Sequence, residues 1–139
     1  MLKHFELKEL KQDNRGEICL LRFGNSEPKL EAFLSHTKTS VSRSGYYFKP
    51  NKIIGDMPPR IYLVLNGRFL YRNKDIKTGE ETEKEIKTGD YIYLEPNHAH
   101  MFTALEDSDM IEFTPGSTEK EEMIPYPPYR ELVEKSVMK

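Results

Sequence analysis

Two stretches decide the fold: Arg60-Ile61-Tyr62-Leu63-Val64-Leu65-Asn66-Gly67 and Gly89-Asp90-Tyr91-Ile92-Tyr93-Leu94-Glu95-Pro96-Asn97-His98-Ala99-His100. The first alternates side chains with period two and ends in Asn-Gly. That dipeptide tolerates the positive φ angles of a tight turn, which predicts a hairpin joining residues 60–66 to 69–73. The second is a Gly-Asp turn, an aromatic-aliphatic strand, a proline corner, and a strand opened by His100. Two such units predict an antiparallel double-sheet barrel.

The same pattern extends outward on both sides. Residues 17–23, 30–36, 46–48, 100–105 and 110–114 read as strands, and residues 2–12 as a short strand or a helical turn. Turns fall at Asp13-Asn14-Arg15-Gly16, residues 24–28 and residues 50–59. Residues 74–84 read as a charged loop. Short strands at regular spacing indicate an all-β sandwich or barrel. Pro125-Tyr126-Pro127-Pro128 reads as a semi-rigid linker. Leu132, Val133 and Val137 then give residues 129–138 a helical pattern.

With 139 residues, the chain is expected to form one domain, residues 1–139, with a core at about 15–115 and an extension at 116–139. A charged share of 32% beside 11% aromatic residues fits a globular chain rather than a disordered one. Basic and acidic residues nearly balance and are scattered, so no nucleic-acid partner is expected. No apolar run is long enough to cross a membrane, and the charged N-terminus does not read as a signal peptide. The single Cys19 lies in an apolar strand and reads as a buried, inert thiol. A reducing cytoplasm is the expected location.

The two opening stretches resemble the paired motifs of the cupin superfamily. In that pattern three His and one Glu converge on a divalent metal inside the barrel. The second motif holds in spacing from Gly89 to His100, with Pro96 displaced by one position and His98 in place of the Gly. The first holds at its closing Gly67, but Arg60 stands at the Glu position. No version of the alignment supplies its two His: Ile54 and Asp56, Ile53 and Gly55, or Tyr47 and Lys49 fall there. Arg is not a metal ligand, so no metal and no cofactor are expected. A rebuilt ligand set from His98 and His100 with Asp56 or Glu95 is the alternative.

Within the superfamily the chain looks like the small sugar-nucleotide isomerases and epimerases, the thymidine-diphosphate 4-keto-6-deoxyhexose ketoisomerases and their epimerase-like relatives. Asp13-Asn14-Arg15-Gly16 matches their first turn, and Arg43-Ser44-Gly45-Tyr46-Tyr47-Phe48-Lys49 echoes the stretch holding their catalytic His pair. The resemblance implies proton abstraction beside a keto group without a metal, with Tyr47 and Lys49 at the positions of that pair.

His100 is the candidate general base. Alternation puts it on one strand face with Phe102 and Ala104, pointing inward if the resemblance holds. Tyr47 is the second catalytic candidate. Arg60 reads either as a bidentate clamp for a carboxylate or phosphate or as the ion-pair partner of Glu95 or Glu112. Tyr62, Tyr91, Tyr93, Lys49, Glu112 and His98 complete the expected ligand-binding set, and Arg60, Tyr62, Tyr91, Tyr93, His100 and Glu112 are expected to face one cavity. The ligand class is a sugar or a small carboxylate. The leading expectation is an isomerase or epimerase-like protein. The alternatives are a non-catalytic binder of such a ligand and a metal-dependent cupin. A homodimer is expected through the strands at 18–23 and 30–34, which carry few charges to block edge pairing.

Overall fold

Residues 8–13, 16–23, 30–49, 60–115 and 123–138 are described by the structure, a computed structural model. The elements run β1 (Lys8–Asp13), β2 (Gly16–Phe23), β3 (Leu30–Thr37), β4 (Ser42–Phe48), β5 (Arg60–Asn66), β6 (Arg68–Asp75), β7 (Glu81–Lys87), β8 (Tyr91–Leu94), β9 (His98–Ala104), β10 (Ser108–Pro115), β11 (Met123–Pro125) and α1 (Pro127–Ser136). Two antiparallel sheets face each other, in the orders β1-β2-β3-β10-β5-β8 and β11-β4-β9-β6-β7. This is a jelly roll closed by one short helix.

The predicted hairpin is a corner instead. β5 pairs with β10 and β8, whereas β6 pairs with β7 and β9, so the chain changes sheet at Asn66-Gly67. A type I′ turn needs positive φ at both central residues. Here Gly67 has φ +99°, but Asn66 is not among the positive-φ residues. The corner is locked to the turn between β7 and β8: the Gly67 amide donates to Thr88 Oγ1, and the Thr88 amide donates to the Gly67 carbonyl. A Cβ at Gly67 overlaps the Ser108 side chain. Gly67→Ala is therefore expected to cost about 3 kcal/mol, combining left-handed strain with overpacking. A urea midpoint equal to that of the wild type contradicts this.

The true hairpin is β6-β7: residues 81–84, read as loop, belong to the strand Glu81–Lys87. Only Ile86 of β7 is buried, so the apolar alternation that marks a strand is missing. Cross-strand charge pairs replace it: Arg72 meets Glu81 at 2.7 Å and Arg68 meets Glu85 at 2.7 Å.

The core lies between the sheets, around Phe48, Tyr62, Val64, Phe69, Ile86, Leu94, Phe102, Ala104 and Met110. The rings of Tyr62, Phe69 and Tyr71 surround Phe102, with centroids 4.7, 6.1 and 5.1 Å away. A second cluster sits outside the β4-β9 sheet. There Tyr129 and Val133, one turn apart on α1, bury against Ala99 and Met101, with Tyr47 beside them. The prolines read as a linker serve the helix: Pro127 and Pro128 occupy its first positions, where no amide hydrogen is required.

The premise of the expected dimer changes. β2 lies between β1 and β3, and β3 between β2 and β10, so neither presents a free edge; the edges of that sheet are β1 and β8. The Cys19 side chain and residues 50–59 lie outside what is described.

Candidate functional site

β4 carries a bulge. Its register against β9 shifts between Ser44 and Tyr46, and Ser44 and Gly45 adopt φ +77° and +88°. A bulge leaves an extra residue and re-aims its neighbours. Here it turns the Ser44 hydroxyl to 2.7 Å from His100 Nε2. Tyr46, opposite His100 in the register, joins the inner wall.

Across the barrel, alternation in β5 puts Arg60, Tyr62 and Val64 inward, and β10 sets Glu112 opposite Tyr62. Arg60 Nη1 donates to Glu112 Oε1 at 2.6 Å, and its guanidinium lies 5.1 Å from the Phe48 ring centre. The Tyr62 hydroxyl donates to the same carboxylate oxygen at 2.6 Å and lies 3.1 Å from His100 Nε2. A continuous polar chain results: Arg60, Glu112, Tyr62, His100, Ser44. It lines a cavity of about 560 Å³, whose wall also includes Arg43, Tyr46, Phe33 and Arg130.

Proton accounting sets the tautomer. Tyr62 has one hydroxyl hydrogen, and Glu112 takes it. His100 Nε2 then meets a Tyr oxygen that offers only lone pairs, so a hydrogen on Nε2, shared between the Tyr62 and Ser44 oxygens, is the consistent assignment. Nδ1 is buried without a hydrogen bond of good geometry, a cheaper state for a bare nitrogen than for an N–H. Burial, and then the nearby Arg60 charge, lower the His100 pKa to about 3, against a smaller opposing pull from the His98 and Tyr46 backbone. Burial and the Glu112 charge hold the Tyr62 phenol well above its usual value. Both rings are therefore neutral at physiological pH.

Arg60, Tyr62, His100 and Glu112 are thus brought together. Tyr91 and Tyr93 are not. Cross-strand partners share a face, and Tyr62 pairs with Ile92 and Arg60 with Leu94, so the two tyrosines point outward, 63% and 58% exposed. Tyr47 lies on the other side of β4 from Tyr46, toward α1. Lys49 is exposed beyond the end of β4. His98 is not among the residues that line the cavity: its Nδ1 is 2.9 Å from the Pro96 carbonyl and its Nε2 is 3.6 Å from Asp75. The glycine-like position of this corner is Asn97, with φ +63°, rather than His98. Of the two readings of Arg60, the ion pair is present, with Glu112 and not Glu95.

Sequence reasoning missed Ser44, Tyr46, Arg43 and Arg130. Gly45 inside a strand was the available signal for the bulge. Nothing local links Arg130 to residues 86 positions earlier. Among the described residues no group of three or more His, Cys, Asp and Glu is placed to hold a metal ion. Asp56, one member of the alternative ligand set, lies outside them. No described helix is long and apolar enough to cross a membrane.

No protein-family model and no curated protein matches the sequence. Solved structures do match in shape. The capsular polysaccharide assembling protein CapF from Staphylococcus aureus superposes with a TM-score of 0.66 at 13% identity, over 88% of this chain and 34% of that one. CapF with the inhibitor 3-isopropenyl-tropolone gives 0.60 at 15% identity, over 79% and 30%. Oxalate decarboxylase from Bacillus subtilis gives 0.65 at 17% identity, over 83% and 28%. The chain spans about a third of the length of these proteins. Both are cupins, and at this level of identity the likeness is one of fold: the chain has the jelly-roll fold that they share.

Proposed function

We propose that the cavity between the sheets binds a small sugar-derived or carboxylate ligand, and that His100, Tyr62 and Ser44 serve it as neutral hydrogen-bonding groups. The observation that carries this is the polar chain that crosses the cavity from Arg60 on one sheet to Ser44 on the other, with the aromatic Tyr46 and Phe33 also on the wall. A concave site with a few fixed polar groups among apolar and aromatic surface suits a ligand of mixed polarity. The neighbours named for capsular polysaccharide assembly and for oxalate decarboxylation are consistent with either ligand class.

Proton exchange on a keto-sugar, as in the sugar-nucleotide isomerases, is the second reading. It is favoured by the Tyr62 hydroxyl bridging His100 and Glu112, which gives an abstracted proton a path between two oxygens and a nitrogen. Against it, an imidazole of pKa about 3 is a weak base at neutral pH.

The test is titration of the protein with thymidine diphosphate glucose, malonate and glucose, followed by NMR of the His100 ring. Saturable binding that moves the His100 signals is expected. His100→Ala should weaken it by roughly three- to tenfold, the worth of one neutral hydrogen bond. No saturation with any of the three probes at millimolar concentration refutes the binding reading. Solvent deuterium uptake into a thymidine diphosphate keto-sugar selects the isomerase reading.

A further inference from the structure

We propose that Arg130, carried by α1, is the residue that takes the charged end of the ligand, and that this end is an oxyanion, phosphoryl or carboxylate. The inference rests on the cavity being the binding site.

Of the three guanidiniums on the cavity wall, Arg43 donates to Thr37 Oγ1 and the His36 carbonyl, and Arg60 and Arg130 differ in how their charge is met. Arg60 is buried and bonded at 2.6 Å to Glu112, itself only 17% exposed. That pair is internally neutral. Arg130 is also mostly buried, with 18% of its side chain exposed. Its Nη1 donates at 2.6 Å to the Ser44 carbonyl, a neutral acceptor. Its one carboxylate partner among the described residues is Glu134, an i,i+4 neighbour at 3.3 Å whose side chain is 68% exposed. Such solvated helix pairs hold weakly. A largely buried cation beside an open cavity, met only by a carbonyl and a solvated carboxylate, favours an incoming anion.

The guanidinium is also held in place. It lies 4.6 Å from the centre of the Tyr46 ring, and Tyr46 lines the same cavity. The helix approaches β4 so closely that a Cβ on Gly45 would sit 2.9 Å from Arg130 Cδ and 3.0 Å from its backbone nitrogen. Gly45 therefore makes room for the stem of Arg130 as well as for the bulge. Two more bonds fix the helix to the same edge of β4: the Tyr126 amide donates to the Gly45 carbonyl, and the Ser42 amide donates to Ser136 Oγ. Planar guanidinium geometry suits both phosphoryl and carboxylate groups. The uncharged part of the ligand then falls toward Tyr62 and His100.

The experiment is an NMR titration of the full chain at constant ionic strength with inorganic phosphate, malonate and glucose, following the Arg130 side-chain N–H and the Gly45 amide. In the wild type, phosphate or malonate should saturate at these signals, and the better of the two identifies the oxyanion. Arg130→Gln should weaken that anion by about tenfold or more and leave glucose unchanged. Arg130→Lys should retain binding within about threefold, and Glu134→Gln should tighten it by about twofold, because it removes the competing carboxylate. The last two variants decide the matter if Arg130→Gln does not fold. Equal binding by wild type and Arg130→Gln, or a Glu134→Gln variant that binds the anion less well, overturns the assignment. So does the absence of saturable anion binding in the wild type. Glucose signals that still move His100 would in that case leave the cavity reading standing without Arg130.

Discussion

Between pH 7 and pH 4 the wild-type protein is expected to lose about 3 kcal/mol more unfolding free energy than His100→Gln. The cause is linkage at one buried imidazole. In the unfolded chain His100 titrates near its ordinary value of 6.5; in the folded chain the value is about 3. Below pH 6.5 the unfolded state therefore takes up a proton that the folded state refuses. The stabilisation is fully present above pH 6.5 and is lost as the pH falls toward 3, by about 1.4 kcal/mol per unit over most of that range. Gln is the right control: its amide reaches the Nε2 position and keeps a bond to Ser44 or Tyr62 while removing the titration. Urea unfolding at pH 7, 6, 5 and 4 separates the two curves. The exposed carboxylates held low by local bonds, such as Asp107 capped by Thr39, contribute equally to both proteins and cancel. Parallel curves would show that His100 is solvated or that its charge is met inside the barrel.

The sequence carried the fold because alternation survives wherever one face of a strand is buried. Arg60, Tyr62 and Val64, and likewise His100, Phe102 and Ala104, keep period two, and both sets point inward. It failed at two kinds of place. One was β7, an edge strand with only Ile86 buried, where nothing apolar marks the strand. The other was parity on β8. Tyr91 and Tyr93 share a face as surely as Tyr62 and Val64 do, but which face points inward depends on the register with β5, and register is a tertiary fact. Half of the candidate site was legible for the same reason. Arg60, Tyr62, His100 and Glu112 stand on regular strands, whereas Ser44 and Tyr46 depend on a bulge and Arg130 on the docking of a distant helix.

The Arg60–Glu112 pair gives the largest expected effect of substitution. Arg60→Met should cost about 3–5 kcal/mol, because Glu112 is left with a mostly buried charge whose guanidinium partner is gone, although the Tyr62 hydroxyl still donates to it. Glu112→Leu alone should also destabilise, because the buried guanidinium loses its 2.6 Å carboxylate acceptor. Arg60→Met combined with Glu112→Leu should recover part of the loss, because apolar replacement of both members also removes their two desolvation penalties. The coupling energy of the cycle, rather than either single value, measures the interaction. Denaturant unfolding of the four proteins supplies it. The double variant should then separate fold from function. Tyr62 loses its carboxylate acceptor and turns its hydrogen toward His100 Nε2, so the imidazole must give up the Nε2–H tautomer. Nitrogen chemical shifts of the His100 ring report that exchange directly. A double variant as unstable as the sum of the singles, with an unchanged His100 tautomer, would mean that Arg60 and Glu112 act independently and that Tyr62 does not link them to the imidazole.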